Sequence, residues 1–295
     1  MSQDTVKPVG IIGLGIMGQA YALNLIPAMP VIGVDPVDGA RAVVEAAGGR
    51  TTNDFGVLGA ECDVILLALA SPKVLESVVA DLAKVLRPGT VVLELGTFAV
   101  PDKEAAREVI EGAGGILLDC PVSGTGAQAK VADLVVFASG DQGAVETARP
   151  VFDAISKSTV YVGPFGAGMK LKMVANLLVA IHNVAAAEAL VMAEKSGLDL
   201  QMALDALSAG AGQSRMLEVR GPMMVQGVYE PATMKNEVFM KDMSLILDYA
   251  REVETPIPLL AASLSSYLGA MGQGRQKQDT AAVHAVLKSL ATPIS

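Results

Sequence analysis

Seven short runs rich in Val, Ile and Leu fill the first part of this chain, and no strand-like run follows them. They are VGIIG (9–13), VIGVD (31–35), DVILLAL (63–69), TVVLEL (90–95), GILLDC (115–120), LVVFAS (134–139) and TVYVG (159–163), each bounded by Gly, Pro, Asp or Ser. Amphipathic segments lie between them, at 38–47, 72–86, 101–113 and 142–155. A strand that is apolar along its whole length is covered on both faces. Alternation with helices then gives an α/β domain with a doubly wound, mainly parallel sheet. After Gly163-Pro164 the spacing turns helical: 167–196, 199–209, 215–226, 236–253, 257–271 and 279–290, with stops at Gly197, Gly210, Gly221-Pro222, Pro256 and Pro258. At 295 residues the chain is long enough for two domains. The expected division is 1–163 for the α/β part and 164–295 for an all-helical part, with a long helix of about 167–196 at the junction.

Within that frame, GLGIMG (Gly13 to Gly18) follows a strand and opens a helix. This context turns a common G-x-G-x-x-G string into a dinucleotide fingerprint of the Rossmann type. Gly13 permits the turn, Gly15 lets backbone approach a pyrophosphate, and Gly18 lets helix pack on strand, while Leu14, Ile16 and Met17 supply the intervening backbone. Asp35 ends the second strand, where a carboxylate accepts hydrogen bonds from ribose hydroxyls and repels a 2′-phosphate. The nearest cation is Arg41, inside the next helix, so NAD is expected as cofactor ahead of NADP. Ligands of open α/β sheets sit beyond the C-terminal strand ends, which adds Leu69, Ala70 and Thr97 as cofactor contacts by position.

A second loop, DCPVSGTGAQA (119–129), crowds Ser123, Gly124 and Thr125 at a strand end. Free backbone N–H groups with the Ser123 hydroxyl form a cradle for a carboxylate. The third feature is GAGMKLKMVAN (166–176), where two lysines open an otherwise apolar helix. Residues four apart share a helix face, so Lys172, Asn176, Val179 and Asn183 form one stripe. Lys170 lies on another face with Val174, Leu177 and Ile181 and is expected to snorkel to solvent. Desolvation lowers a lysine's pKa, and that suits Lys172 to general acid/base work, against the plainer role of a polar stripe at an interface.

Composition excludes several alternatives. A net charge of −9 opposes sequence-independent nucleic-acid binding. Cys62 and Cys120 are isolated and His182 and His284 are far apart, so no metal site is expected and a reducing compartment fits. The start MSQDTV lacks a basic leader, and the longest apolar run, Leu177–Ala187, is too short to span a bilayer. The expectation is a cytoplasmic protein without membrane or nucleic-acid partners.

Four stretches in this order, GLGIMGQAYALNL (13–25), DCPVSGTGAQA (119–129), GAGMKLKMVAN (166–176) and FMKDMSLILD (239–248), resemble the β-hydroxyacid dehydrogenase family, which includes 3-hydroxyisobutyrate dehydrogenases and tartronate semialdehyde reductases. The resemblance implies hydride transfer between NAD(P) and a small hydroxy acid. It assigns the catalytic lysine to Lys172 with Asn176 beside the substrate, and the substrate-binding Ser-Gly-Gly to Ser123, Gly124 and Thr125, threonine replacing the second glycine. It makes Thr97 a cofactor contact and places Lys241 on the nicotinamide side, with Asp242 orienting it. The helical half, including AGQSRMLEVRGPMM (211–224), is more similar to threonate-type aldonate dehydrogenases. Its Ala/Met-rich surface implies a homodimer or homotetramer. Rival readings on the same fold are a short semialdehyde or glyoxylate reductase, an imine reductase, whose members usually lack a lysine at this position, and a non-catalytic dinucleotide sensor.

Overall fold

The structure is a computed structural model and describes residues 7–291; the segment MSQDTV lies outside the described residues. The chain divides into two compact units, the first ending at Lys172 and the second beginning at Met173.

The first unit is built on nine strands: β1 (Val9–Ile12), β2 (Val31–Val34), β3 (Arg50–Thr51), β4 (Val64–Leu67), β5 (Val91–Glu94), β6 (Ile116–Asp119), β7 (Val122–Ser123), β8 (Val135–Ser139) and β9 (Ser158–Gly163). They lie in the order β3-β2-β1-β4-β5-β6-β8-β7, with β9 paired to β8. Strands β1 to β6 are parallel in register, for example Val9 opposite Val31 on one side and Val64 on the other. The strand order reverses between β1 and β4, the point where such sheets hold a dinucleotide. Successive side chains leave opposite faces of a strand, so β1, β2, β4, β5 and β6 each feed two cores. One contains Ile11, Leu66, Leu93 and Leu118 with Tyr21 and Leu25. The other contains Ile12, Ile65, Leu67 and Val92 with Leu75, Val79 and Ile110. Cutting one of these side chains, such as Ile65, to alanine costs about 2–5 kcal/mol.

All seven anticipated runs are strands, and four details differ from the sequence reading. β8 runs antiparallel to β6, the two meeting only at Asp119 and Ser139. β3 and β7 are two-residue strands that no pattern marks. The segment 142–155 is two helices, Gln142–Thr147 and Arg149–Ile155, because Pro150 has no N–H to give and its ring crowds the preceding turn. A helix at Phe55–Glu61 escaped notice behind two glycines. There Asp54 caps Gly56 N–H, and Gly59 lies so close to the Val85 carbonyl that a Cβ would come within 2.1 Å of it.

The second unit is helical: Leu200–Ala209, Arg215–Gln226, Asn236–Glu252, Pro258–Gly272 and Val283–Leu290, with a 3-10 turn at Thr280–Ala282. Asp199, Ser214 and Asp279 cap three starts through their side chains. Asp279 is fully buried. It takes hydrogen bonds from Thr233 N–H and O–H and Met234 N–H and pairs with Arg220 at 3.2 Å, which fixes the segment leading into Asn236–Glu252. The Arg220 guanidinium and these donors hold the Asp279 carboxyl below its usual value although burial opposes them.

The helix Ala167–Lys195 begins in the first unit and continues into the second. By length and composition it is apolar enough to cross a membrane, with mean hydropathy 1.7. Its buried residues Ala180, Val184, Ala187 and Leu190, and the buried polar Lys172, Asn176 and Asn183, mark it as a core helix.

Candidate active site

The glycine loop separates two functions that look alike in sequence. Gly13 has φ 91°, and a Cβ there would lie 2.4 Å from the Ala68 carbonyl oxygen. A Cβ on Gly18 would lie 1.8 Å from the Gly13 carbonyl oxygen. A Cβ on Gly15 would meet nothing within 4 Å. Gly13 and Gly18 therefore serve the chain's own packing, and Gly15 keeps space open over the start of helix Ile16–Leu25. No side chain caps that helix start and no acidic residue lies in its first turn, so its first N–H groups remain for an anion. Leu14 is buried while Ile16 is 73% exposed.

Asp35 is held in place from both sides. Its Oδ2 accepts Leu14 N–H at 2.7 Å and its Oδ1 accepts Val37 N–H at 2.8 Å, which ties the carboxylate to the glycine loop. Arg41 is committed elsewhere: it donates to the Asp35 carbonyl at 2.5 Å, to Asn53 Oδ1 at 3.1 Å and to the Asp38 carboxylate. Leu69 and Ala70 follow β4, where a Gly13 Cβ would come within 3.3 Å of the Leu69 side chain. Thr97 follows β5 in a turn whose Gly96 N–H donates to Glu94 Oε1 at 2.7 Å. Bare helix N–H groups, open space at Gly15 and an anchored carboxylate one strand over fit an NAD(P) dinucleotide.

The second loop neighbours the first. A Cβ on Gly126 would lie 2.7 Å from Ile16 Cγ2, and Asn24 donates to the Ala129 carbonyl at 2.7 Å. Gly124 has φ 140°, where a side chain would strike Leu134. The cradle differs from the one expected. Thr125 N–H is already given to Gln128 Oε1 at 3.0 Å, and its hydroxyl donates to the same oxygen at 3.3 Å. The Gln128 amide is fixed in that orientation because its Nε2 donates to Asp133 Oδ2, while Lys157 pairs with Oδ1 of the same carboxylate. Thr125 thus contributes lone pairs rather than an N–H, and Ser123 remains the loop's hydroxyl for an anion.

Helix Ala167–Lys195 starts against the strand that leads into this loop. Gly168 N–H donates to Ser139 Oγ at 2.9 Å and Met169 N–H to Asp119 Oδ2 at 2.8 Å. Gly168 packs so tightly that a Cβ would lie 2.4 Å from the Phe137 carbonyl oxygen, 2.8 Å from that of Asp119 and 3.0 Å from Pro121 Cδ. Lys172, one turn on, shares that face and is 8% exposed, whereas Lys170 is exposed. The lysines therefore divide as the helical spacing predicts.

One turn further, in the second unit, the buried Asn176 donates from Nδ2 to Asp242 Oδ2 at 3.1 Å. Lys241 Nζ lies 3.8 Å from Asp242 Oδ1, so Asp242 orients Asn176 as well as Lys241. Asn183, expected in the same polar stripe, has another job: it donates to Tyr267 Oη at 3.0 Å and to the Thr280 carbonyl at 2.9 Å, a packing role. Burial pushes the Cys62 thiol up to about 12 and the Cys120 thiol well above its usual range, which removes both as nucleophiles.

Sequence reasoning missed a buried charge cluster. Lys103 lies between Glu94 Oε2 at 2.5 Å and Asp119 Oδ1 at 2.7 Å, and all three are fully buried. The Glu94 contact is an ion pair rather than a directed hydrogen bond. The signal was present, since TVVLEL and GILLDC each carry a carboxylate inside a run that reads as buried strand.

A glycine loop at the sheet's switch point, an anchored carboxylate and a buried lysine define a nicotinamide-dinucleotide oxidoreductase. Comparison with known proteins makes this narrower. Residues 8–163 match the NAD-binding domain of 6-phosphogluconate dehydrogenase, and 166–287 match the NAD-binding model of NADP-dependent 3-hydroxyisobutyrate dehydrogenase. L-threonate dehydrogenase of Haemophilus influenzae is 32% identical over 97% of this chain and 96% of its own. Glyoxylate/succinic semialdehyde reductase 1 of Arabidopsis thaliana is 31% identical over 95% and 98%. The Mycobacterium tuberculosis 3-hydroxyisobutyrate dehydrogenase structure with L-serine superposes with TM-score 0.87, at 26% identity over 96% of this chain and 99% of that one. This chain belongs to the β-hydroxyacid dehydrogenase family and is an NAD(P)-dependent oxidoreductase acting on CH–OH groups.

Proposed function

We propose that the chain oxidises a small hydroxy acid of the threonate type, with Lys172 as general acid/base and NAD as the preferred cofactor. The observation that carries this reading is a buried lysine, 8% exposed, on a helix face continued by an asparagine whose amide is fixed by Asp242. The nicotinamide, when bound, supplies hydride exchange at the carbinol carbon. Neutral Lys172 takes the hydroxyl proton; in the opposite direction its ammonium returns a proton to the carbonyl oxygen. Asn176 has its Nδ2 turned to Asp242, so its Oδ1 is the side-chain atom left to orient a hydroxyl or an ammonium. Ser123 and Gly124 take the substrate carboxylate, and the Thr125 oxygen, its proton given to Gln128, accepts from a further substrate hydroxyl. Lys241 is assigned to the cofactor alongside Gly13–Gly18, Asp35, Leu69, Ala70 and Thr97. The threonate class is favoured by the L-threonate dehydrogenases that match almost the whole chain.

The test is a panel of C3–C5 hydroxy acids with NAD and NADP, run in reverse with glyoxylate and succinic semialdehyde. Threonate with NAD is expected to give the highest kcat/KM, and equal turnover of 3-hydroxyisobutyrate would remove the threonate assignment. An imine reductase is disfavoured because the buried Lys172 has no role there. A dinucleotide sensor would bind NADH and turn over nothing in the panel.

Preference for NAD rests on Asp35. Each of its oxygens takes one backbone N–H and keeps a lone pair for a ribose hydroxyl, while a 2′-phosphate would meet a carboxylate whose neighbouring guanidinium, Arg41, is committed to Asp38, Asn53 and the Asp35 carbonyl. Like-charge contact costs several kcal/mol. Asp35→Asn is therefore expected to lower the ratio of kcat/KM for NAD over NADP by about 100-fold, equivalent to about 2.7 kcal/mol. An unchanged ratio would show that the 2′ position is read elsewhere.

A homo-oligomer is also proposed. Val174, Leu178 and Met192 line one exposed stripe of the long helix, at 50%, 49% and 73% exposure, and light scattering reads the mass directly. Two buried unpaired thiols fit a reducing, cytoplasmic setting.

A further inference from the structure

We propose that Lys103 is a positioning residue: with Glu94 and Asp119 it forms a buried strut that sets the Gly96–Thr97 cofactor loop and the start of the Lys172 helix at a fixed spacing. The proposal rests on Lys172 being the acid/base. Each carboxylate gives one oxygen to Lys103 and the other to backbone in the site. Glu94 Oε2 pairs with Lys103 at 2.5 Å, while Oε1 accepts Gly96 N–H at 2.7 Å. Asp119 Oδ1 pairs with Lys103 at 2.7 Å, while Oδ2 accepts Met169 N–H at 2.8 Å and the Ser139 hydroxyl at 3.1 Å. The Ser139 oxygen then accepts Gly168 N–H, so both N–H groups at the helix entry end on this cluster. Asp119 and Ser139 are also the pair at which the parallel strands pass into antiparallel β8. The cluster therefore sits where the sheet changes sense and the helix departs.

Stability alone does not account for three charges here. Desolvating such a cluster costs about as much as its attraction returns, and neutral replacements of similar volume are often tolerated. Burial raises the Glu94 carboxyl pKa. Burial alone would lower that of Lys103, but the two carboxylates hold it up, so the lysine keeps its proton. What the cluster provides beyond packing is a short, buried link between two segments far apart in sequence, residues 96 and 168–169. A misplacement of about 1 Å near the chemistry costs roughly 100-fold in rate.

The decisive variant is the triple change Glu94→Gln, Lys103→Met, Asp119→Asn, which keeps an acceptor oxygen opposite Gly96 and Met169 and removes the tie between them. Asp119→Asn alone is the milder companion, in case the triple change prevents folding. For each, kcat per NADH-binding site, KM for the hydroxy acid, Tm and amide hydrogen exchange are measured. Expected is a fall in kcat per site of about 10–100-fold in the triple variant and a smaller fall in Asp119→Asn, with KM changed much less. Exchange is expected to quicken in 95–98 and 166–173 together, and not in β4. A folded triple variant with kcat per site within about threefold of wild type, or with both segments exchanging as before, overturns the strut. If the triple change prevents folding, unchanged kcat and exchange in Asp119→Asn overturn it. Failure of the acid/base reading is seen separately, as retained turnover in Lys172→Ala. The strut is then judged by the exchange of the two segments.

Discussion

Lys172→Ala is expected to lower kcat by about 10²–10⁴-fold, while NADH binds as in the wild type. The groups assigned to the dinucleotide, Gly13 to Gly18 and Asp35, are tied to each other through Leu14 N–H on the Asp35 carboxylate, a bond that truncating residue 172 leaves in place. Loss of turnover with retained binding therefore separates chemistry from cofactor capture. Lys172→Arg sharpens the test, since a guanidinium keeps the positive charge and the donors but does not release its proton at working pH. If the lysine only attracted the substrate carboxylate, Arg would restore much of the rate. If it moves a proton, Arg is expected to be nearly as slow as Ala in oxidation. Lys170→Ala is the control: that side chain is exposed on the other face, and its removal is expected to leave kcat unchanged. Steady-state kinetics with a fluorescence titration of NADH reads all three, and near-normal turnover in Lys172→Ala would end the assignment.

What the sequence disclosed and what it hid follow from how far each signal extends along the chain. Parallel strands covered on both faces read as unbroken apolar runs, so β1, β2 and β4 to β6 were visible, while β8 and the largely exposed β9 showed through their β-branched and aromatic residues. β3 and β7 have two residues each and no room for a pattern. The antiparallel sense of β8 depends on which strand it meets, a long-range fact that its own residues do not carry. The shared buried face of Lys172 and Asn176 was legible because four-residue spacing is local. Asn183 shared the spacing but not the role, since its partners Tyr267 and the Thr280 carbonyl lie 84 and 97 residues away. Lys103 was invisible for the same reason. A lysine in an amphipathic helix reads as solvated, and only the fold brings Glu94 and Asp119 to it. The loop's backbone N–H groups looked free for an anion, but Gln128, three residues on, takes the Thr125 N–H.

Gly18→Ala and Gly15→Ala are expected to fail in opposite ways, although both remove a glycine from one six-residue loop. At Gly18 the added methyl would stand 1.8 Å from the Gly13 carbonyl oxygen, a backbone atom that cannot turn aside as a side chain does. The turn must open, at about 1–3 kcal/mol or more, and Tm is expected to drop by roughly 5–10 °C. Cofactor binding falls with it, because the helix start is no longer seated. At Gly15 the backbone has φ −69°, which alanine adopts freely, and the methyl enters open space. Stability is expected to change by less than about 1 kcal/mol, the scale of a helix N-cap exchange. That open space is where backbone must come close to the pyrophosphate. Gly15→Ala should therefore fold with nearly wild-type Tm and bind NADH about 10–100-fold more weakly, a loss of about 1.4–2.7 kcal/mol. Calorimetry paired with NADH titration distinguishes the two variants. Should Gly15→Ala bind NADH as tightly as wild type, the pyrophosphate does not lie over this helix start, and the uncapped N–H groups of residues 16–18 need another ligand.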